Sequence, residues 1–437
     1  MIFKSYPKYI PCSIQWFTEI PQGWKEVRVE QYLVKKDENI GSLWSSTQLL
    51  SLTQKGVIEK DINDGKGKTH SDYSTYQAID KGDLVFCLFD IDETPRTVGL
   101  STKKGMITSA YTAFKSKENI NTQYVYYFFE SLDDAKALKP YYKGLRKTVR
   151  PPEFLKIHVP FPPKEEQDVI SKFLDSETSR IDNLIAKQEK LIELLEEQRK
   201  SIISHAVTKG LNPNAPMKDS GVEWLGEVPE HWMTPSSKHL LEIPITDGPH
   251  ETPNFVDDGV PFISAEAISK GKIDFDKKRG YITPELNAIY SKKYSPKIED
   301  IYMVKSGATT GKVAMVGTTE EFNIWSPLAV FRCNKNKVLP KFLLAVFNSS
   351  HFYDALVLNW SYGTQQNIGM GVLSNIEIPC PPLKEQAEII QHLDAQNTKF
   401  DKLISTQSQL IEKLKEYRSS IISHAVTGKI DVREFGA

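Results

Sequence analysis

The peptide SIISHAVTKG begins at Ser201, and SIISHAVTGK begins at Ser420. They close a longer match. PFPPKEEQDVISKFLD from Pro160 aligns with PCPPLKEQAEIIQHLD from Pro379, and the offset of 219 holds without a gap through Thr208 and Thr427. About half of those positions are identical, far above chance for so long a window. A second signature repeats upstream: IQWFTEIPQGW ends at Trp24 and VEWLGEVPEHW at Trp232, an offset of 208. The offsets differ by 11, so the stretch between the signatures is longer in the second copy, and it diverges far more. The order is variable, constant, variable, constant. A chain with two homologous halves most naturally packs them about an approximate two-fold axis, and nothing else in the sequence restricts the fold as strongly.

Both constant blocks read as helices. Pro163 and Pro382 suit a first helical turn, where a missing N–H is harmless, and Glu166 and Glu385 complement the helix dipole just beyond them. Leu174, Ile181, Leu195 and Ile202 recur at heptad spacing, with Leu184 and Leu191 on the interleaved positions. Leu393, Phe400, Leu414 and Ile421 repeat the register, with Leu403 and Leu410 interleaved. Gln188 and Gln407 take equivalent seam positions near mid-helix, where a two-fold pair would hydrogen-bond across the seam. Gly210 and Gly428 stand where a left-handed residue ends a helix. Each helix then has roughly 42 residues and spans about 60 Å at about 1.5 Å per residue. Packing the two antiparallel on each other is the economical solution. Ile185, Ile192, Ile404 and Ile411 widen the stripe beyond a two-helix seam and leave apolar surface for a further partner. The expected fold class is α+β: two globular α/β modules at 1–160 and 210–380, separated by two long antiparallel helices at 161–209 and 381–428 in a pseudo-two-fold internal repeat, with a tail at 429–437.

Length and composition fit this plan. The 437 residues suffice for several modules with cores, and 40% hydrophobic with 25% charged residues is ordinary for a folded globular chain. No apolar run is long enough to cross a bilayer, and the start lacks the order of a signal peptide, so a cytoplasmic location without membrane contact is expected. Cys12, Cys87, Cys333 and Cys380 are scattered, which argues against a zinc site or a disulfide framework. A net charge of −1 neither demands nor excludes a nucleic-acid partner.

The variable modules carry short β-like runs. GDLVFCLF, after the turn at Lys81, Gly82 and Asp83, and EDIYMVKSG from Glu299 both read as strands, and HVPFPP and EIPCPP as final strands that hand over to the long helices. SGATTGKV, from Ser306 to Val313, is not a Walker A loop: three residues separate its glycines, and Val313 follows Lys312. It reads instead as a glycine turn presenting Thr309, Thr310 and Lys312 outward. Neither a strand-linked G-x-G-x-x-G nor a methyltransferase N/D-P-P-Y/F stretch occurs, and no acidic cluster suits a nuclease metal. No catalytic residue, metal or bound cofactor is therefore assigned. His205 and His424 fit the carbonyl ends of the helices rather than a catalytic pair.

What remains is a set of glycine-bearing loops rich in donor side chains. TDGPHETPNF offers Thr246, His250, Thr252 and Asn254; SYGTQQNIG offers Tyr362, Gln365, Gln366 and Asn367; YKGLRKTVRPP offers Arg146, Lys147 and Arg150. Gln and Asn pair with adenine edges, and Arg and Lys with guanine or phosphate, so such loops suit DNA. The last two occupy matched positions, Gly363 falling on Gly144 at the offset of 219.

Taken together, the chain resembles the specificity (S) subunit of type I restriction-modification systems over essentially its full length. The residues that carry the resemblance are VEWLGEVPEHW, TDGPHETPNF followed by GVPFISAEAIS, SGATTGKVAMV, SYGTQQNIG running into IEIPCPPLKEQ, and SIISHAVTGKID. The first half departs from it, with GSLWSSTQLLSLTQKGVIEK in place of the TDGPHETP loop and GLRKTVRPP in place of GTQQNIG, which suggests that the two domains read different sequences. The resemblance implies two target-recognition domains, each reading one half of a bipartite double-stranded DNA target, with the helices fixing the spacer. It implies two methyltransferase (M) subunits docked on the repeated helices, and restriction (R) subunits that join for cleavage. S-adenosylmethionine, ATP and Mg would then belong to those partners, and this chain would catalyse nothing. Two other readings fit the repeat: an interaction scaffold whose modules bind protein or glycan, and the targeting subunit of a related system with a fused methyltransferase-nuclease partner.

Overall fold

The computed structural model describes residues 3–61, 73–144, 146–269, 271–359, 361–362 and 366–435, with the backbone alone at 361, 362 and 366. They form two compact units, Met1–Gln188 with Ser408–Ala437, and Glu189–Gln407. Each unit thus joins one variable module to one end of both long helices.

Those helices span Lys164–Lys209 and Leu383–Val426, 46 and 44 residues. Pro163 and Pro382 lie one residue before the first turn rather than in it; their carbonyls accept the N–H groups of Gln167 and Gln386 at 3.0 Å. Gly210 and Gly428 end the helices at φ 76° and 69°, the left-handed region that a side chain disfavours. Within the first unit, Arg418 Nε donates to Asp182 at 3.0 Å, and Ile170, Phe173, Leu174 and Ile181 share a core with Ile421, Ile422, Ala425 and Val426. Within the second, Arg199 pairs with Asp401 and lies over the Phe400 ring, while Ala206 and Val207 share a core with Ile389 and Leu393. In both units, the early part of one helix meets the late part of the other, which is the antiparallel arrangement.

The heptad seam needs correction along its middle. Leu174, Ile181, Leu393 and Phe400 are buried, and Leu184, Leu195 and Leu414 are half-buried. Leu191, Leu403 and Leu410 are 39%, 46% and 39% exposed, while Ile411 is buried. An α-helix drifts about 20° per heptad against a 3.5-residue repeat, so the buried line slides from the leucines to the isoleucine beside them. Gln407 is half-buried, and Gln188 Oε1 is buried without a hydrogen-bond partner among the described residues.

Each unit holds a four-stranded antiparallel sheet of the same order. In the first the order is 33–35, 112–116, 84–86, 98–100; in the second it is 246–247, 328–331, 301–304, 313–315. The expected strands 84–86 and 301–304 are central and buried throughout, which explains their lack of alternation. His158–Phe161 pairs with Lys25–Arg28 as a strand. EIPCPP, by contrast, makes only the isolated pairings Ser236–Glu377 and Met233–Cys380, because Pro235 and Pro379 supply no N–H to extend a ladder.

The upstream signatures clasp helix ends. Trp24 Nε1 donates to Glu166 Oε1 at 2.9 Å, and Trp232 Nε1 donates to Glu385 Oε1 at 3.1 Å. Trp24 also faces Gly428, and Trp232 faces Gly210, so each tryptophan joins the start of one helix to the end of the other. Next to each glutamate, a buried glutamine repeats the device. Gln167 accepts the Asn121 N–H and donates to the Pro162 carbonyl; Gln386 accepts the Leu339 N–H and donates to the Pro381 carbonyl. Among the described residues, no helix is long and apolar enough to cross a membrane.

Candidate nucleic-acid interface

In the second unit, three of the loops read from the sequence come together at Lys305, which follows the central strand 301–304. Its N–H donates to the Pro327 carbonyl and its carbonyl accepts the Ile368 N–H, both at 2.8 Å, while Ser306 pairs with Asn367. Its ammonium lies 3.2 Å from Asp247 Oδ2. The TDGPH, SGATTGK and glutamine loops are therefore tied to one residue, and 361–362 pairs antiparallel with 366–367.

The candidate side chains differ in accessibility. His250 is largely exposed, with Nε2 3.1 Å from Asp247, and Thr252 and Asn254 are exposed on either side of buried Pro253. Thr246 is half-buried in its strand, Thr309 is half-buried, and Lys312 and Asn367 are exposed. Thr310 does not face outward. It is buried, and its hydroxyl donates to the Gly307 carbonyl at 2.7 Å, closing the turn that Gly307 opens at φ 105°. Tyr362 and Gln366 pair with each other through the backbone, and Gln365 lies outside the described residues.

Asp247 is the hub that the sequence reading missed. It is 1% exposed, and Lys293 Nζ donates to it at 2.6 Å. Burial alone would push its carboxyl up, but the hydrogen bond from Lys293 and the ammonium charge of Lys305 beside it outweigh that and hold it below the usual carboxylate range. Gly248 follows because a Cβ there would collide with the Ile324 carbonyl.

The first unit builds a matching corner with different charge. Lys143 pairs with Thr148 around Gly144, and Val149 N–H donates to the Leu88 carbonyl at 2.9 Å, as Ile368 does to Lys305. Here the basic side chains face a second loop, 88–97, whose carboxylates they meet. Arg146 lies 3.7 Å from Asp90 and 5.9 Å from the Phe89 ring centre; Lys147 and Lys139 lie 3.2 and 3.7 Å from Asp92. Tyr142 donates to Asp92 at 3.3 Å, and burial with that neighbouring charge pushes its hydroxyl up to about 12. Arg150 is exposed and precedes the short helix Pro151–Phe154. Sequence reasoning found the basic loop and not its acidic counterpart, which stands where the second unit has SGATTGK. Among the described residues, no group of His, Cys, Asp and Glu is arranged to hold a metal ion.

A family model described as the type I restriction modification DNA specificity domain matches residues 72–196 and 229–416. The chain is similar to the type I restriction enzyme MjaVIII specificity subunit of Methanocaldococcus jannaschii, 27% identical over 340 residues, 76% of each chain. It is also similar to the type I restriction enzyme EcoKI specificity subunit of Escherichia coli, 21% identical over 64% of this chain and 60% of that one. Among solved structures, a chain from a study of complex assembly and conformational transition of the type I R-M system matches with a TM-score of 0.65 at 16% identity, covering 94% of this chain and 99% of that one. The HsdS subunit from Thermoanaerobacter tengcongensis matches at 0.50 and 15%, covering 96% and 100%. At these identities the structural likeness is one of fold.

Proposed function

Because the chain belongs to the type I restriction modification DNA specificity family, we propose that its two variable modules are target-recognition domains, each reading one half of a bipartite double-stranded DNA site. The observation that carries this reading is that donor-bearing loops stand at the same end of equivalent sheets in the two units, three of them meeting at Lys305 in the second and the basic 142–150 loop lying against 88–97 in the first. In the second, Asn367 and the glutamines beside it offer amides suited to adenine edges, and His250, Lys312 and the loop threonines offer further donors. In the first, Arg146 and Lys147 are suited to guanine or phosphate. Since the loops differ, the half-sites differ.

The two long helices, which run from one module to the other in the chain, set the spacer between the halves. Their exposed leucines, Leu191, Leu403 and Leu410, suit docking of two methyltransferase subunits, each of which flips an adenine. Restriction subunits join for cleavage. This chain binds no cofactor in that scheme and is not itself catalytic; S-adenosylmethionine, ATP and Mg serve the partners. Methylome sequencing of cells with and without the chain tests the reading: a gapped motif must vanish when the chain is absent, and a methylome unaffected by its loss rejects the proposal.

A further inference from the structure

The second unit holds a cation that none of the candidate loops contains. Lys293 stands just after the helix Pro284–Tyr290, and its ammonium lies 2.6 Å from Asp247 Oδ1 and 3.3 Å from the Gly248 carbonyl. Two ammonium groups meet the one carboxylate of Asp247: Lys305, with its side chain 12% exposed, lies against it, whereas the Lys293 side chain is 51% exposed. The neighbouring carboxylate, Glu251, is engaged by the Tyr290 hydroxyl at 3.0 Å and, among the described residues, makes no ion pair with Lys293. An ammonium has three donors, and the two protein acceptors leave one for a group arriving from solvent.

We propose that Lys293 contacts a DNA backbone phosphate in the second recognition domain, and that Asp247 is the positioning residue that aims it. This rests on the DNA-reading role given above. A lysine is a point charge without the fork that reads a base edge, so it suits phosphate. Asp247 places it in fixed relation to all three reading loops, since the same carboxylate holds Lys305 and approaches His250. A phosphate contact so placed sets the register in which the loops meet base edges.

The test uses the full chain in complex with its methyltransferase partners. The probes are a duplex bearing the motif that the complex methylates and a duplex lacking it, each titrated from about 50 to 200 mM salt. Lys293→Gln is expected to weaken both duplexes alike and to flatten the slope of log K against log salt by about 0.9. The affinity loss at the low end should then exceed that at the high end by about 3.5-fold, and Lys293→Arg should keep the slope. In an Asp247→Asn background the effect of Lys293→Gln should shrink, because the aimed ammonium is already lost. If Asp247→Asn does not assemble, Asp247→Glu, which displaces the ammonium, replaces it. An unchanged slope in Lys293→Gln, in a complex that still discriminates the motif, overturns the phosphate contact while leaving the DNA-reading role standing. A full Lys293→Gln effect in the Asp247 variant overturns the positioning role. A wild-type complex that discriminates no duplex overturns the reading on which both rest.

Discussion

Arg199 and Arg418 occupy equivalent places in the repeat, yet replacing each by Met should have unequal consequences. Both pair with an aspartate on the facing helix, Asp401 and Asp182 respectively. Arg418 also reaches Glu130 at 3.3 Å, a carboxylate only 3% exposed. Removing one partner of a buried pair costs about 3–5 kcal/mol. Arg96, 3.4 Å from Glu130, stays in place, so about 2–3 kcal/mol is expected for Arg418→Met. Arg199 loses an ion pair with a largely exposed Asp401 and its position over Phe400, together about 1 kcal/mol. At roughly 2–4 °C per kcal/mol for a unit of this size, the first variant should melt roughly 4–12 °C lower and the second only a few degrees lower. The pH dependence separates them further. Burial raises the Glu130 carboxyl above its ordinary value, against the pull of Arg418 and Arg96. The folded state therefore binds a proton more readily than the unfolded one, and stability rises as pH falls from the folded pKa toward about 4.3. Loss of Arg418 raises that pKa further, so its defect should shrink on acidification and the Arg199 defect should not. Urea melts of the two variants from neutral to mildly acidic pH measure this; equal losses, or a pH-independent Arg418 defect, would refute the reasoning.

Three further outcomes follow from the two corners and the clasps. Asp92→Asn releases Lys147 and should tighten binding of any duplex and steepen the salt slope by about one unit, read by titration. Trp232→Phe keeps an aromatic ring but loses the indole N–H to Glu385 and, at a fully buried site, leaves a cavity where the second ring stood, so urea unfolding should show a loss of about 2–4 kcal/mol although Glu385 keeps His231 at 2.8 Å. Gly248→Ala drives a methyl into the Ile324 carbonyl, so methylome sequencing should show one half of the motif degraded and the other intact.

The long helices were readable because their apolar residues recur with helical period over six turns and more, and because glycine and proline mark their ends. Which leucines are buried at mid-helix was not readable, since a heptad count carries no information on drift against a straight helix; Leu410 and Ile411 exchange roles for that reason. The central strands stood out as apolar runs, whereas their order in the sheet depends on pairings with segments of only two to five residues, too short to carry an alternating pattern. The repeated Trp24 and Trp232 were visible as signatures, but their partners Glu166 and Glu385 lie 142 and 153 residues away. Asp247 was visible inside TDGPH, yet its role needs Lys293, 46 residues on, and nothing in a helix-following lysine announces a carboxylate. Likewise the Asp90–Glu93 loop has the look of an ordinary solvated turn until Arg146 and Lys147 are seen against it.

The most direct measurement is a methylome comparison among cells carrying the wild-type chain, no chain, and a chain whose 361–369 loop is replaced by the 142–150 loop. The account predicts a two-part motif with a fixed gap in the first, none in the second, and in the third a motif altered in one half only with the gap unchanged. A motif that survives deletion of the chain, or a loop exchange that leaves both halves as they were, would contradict it.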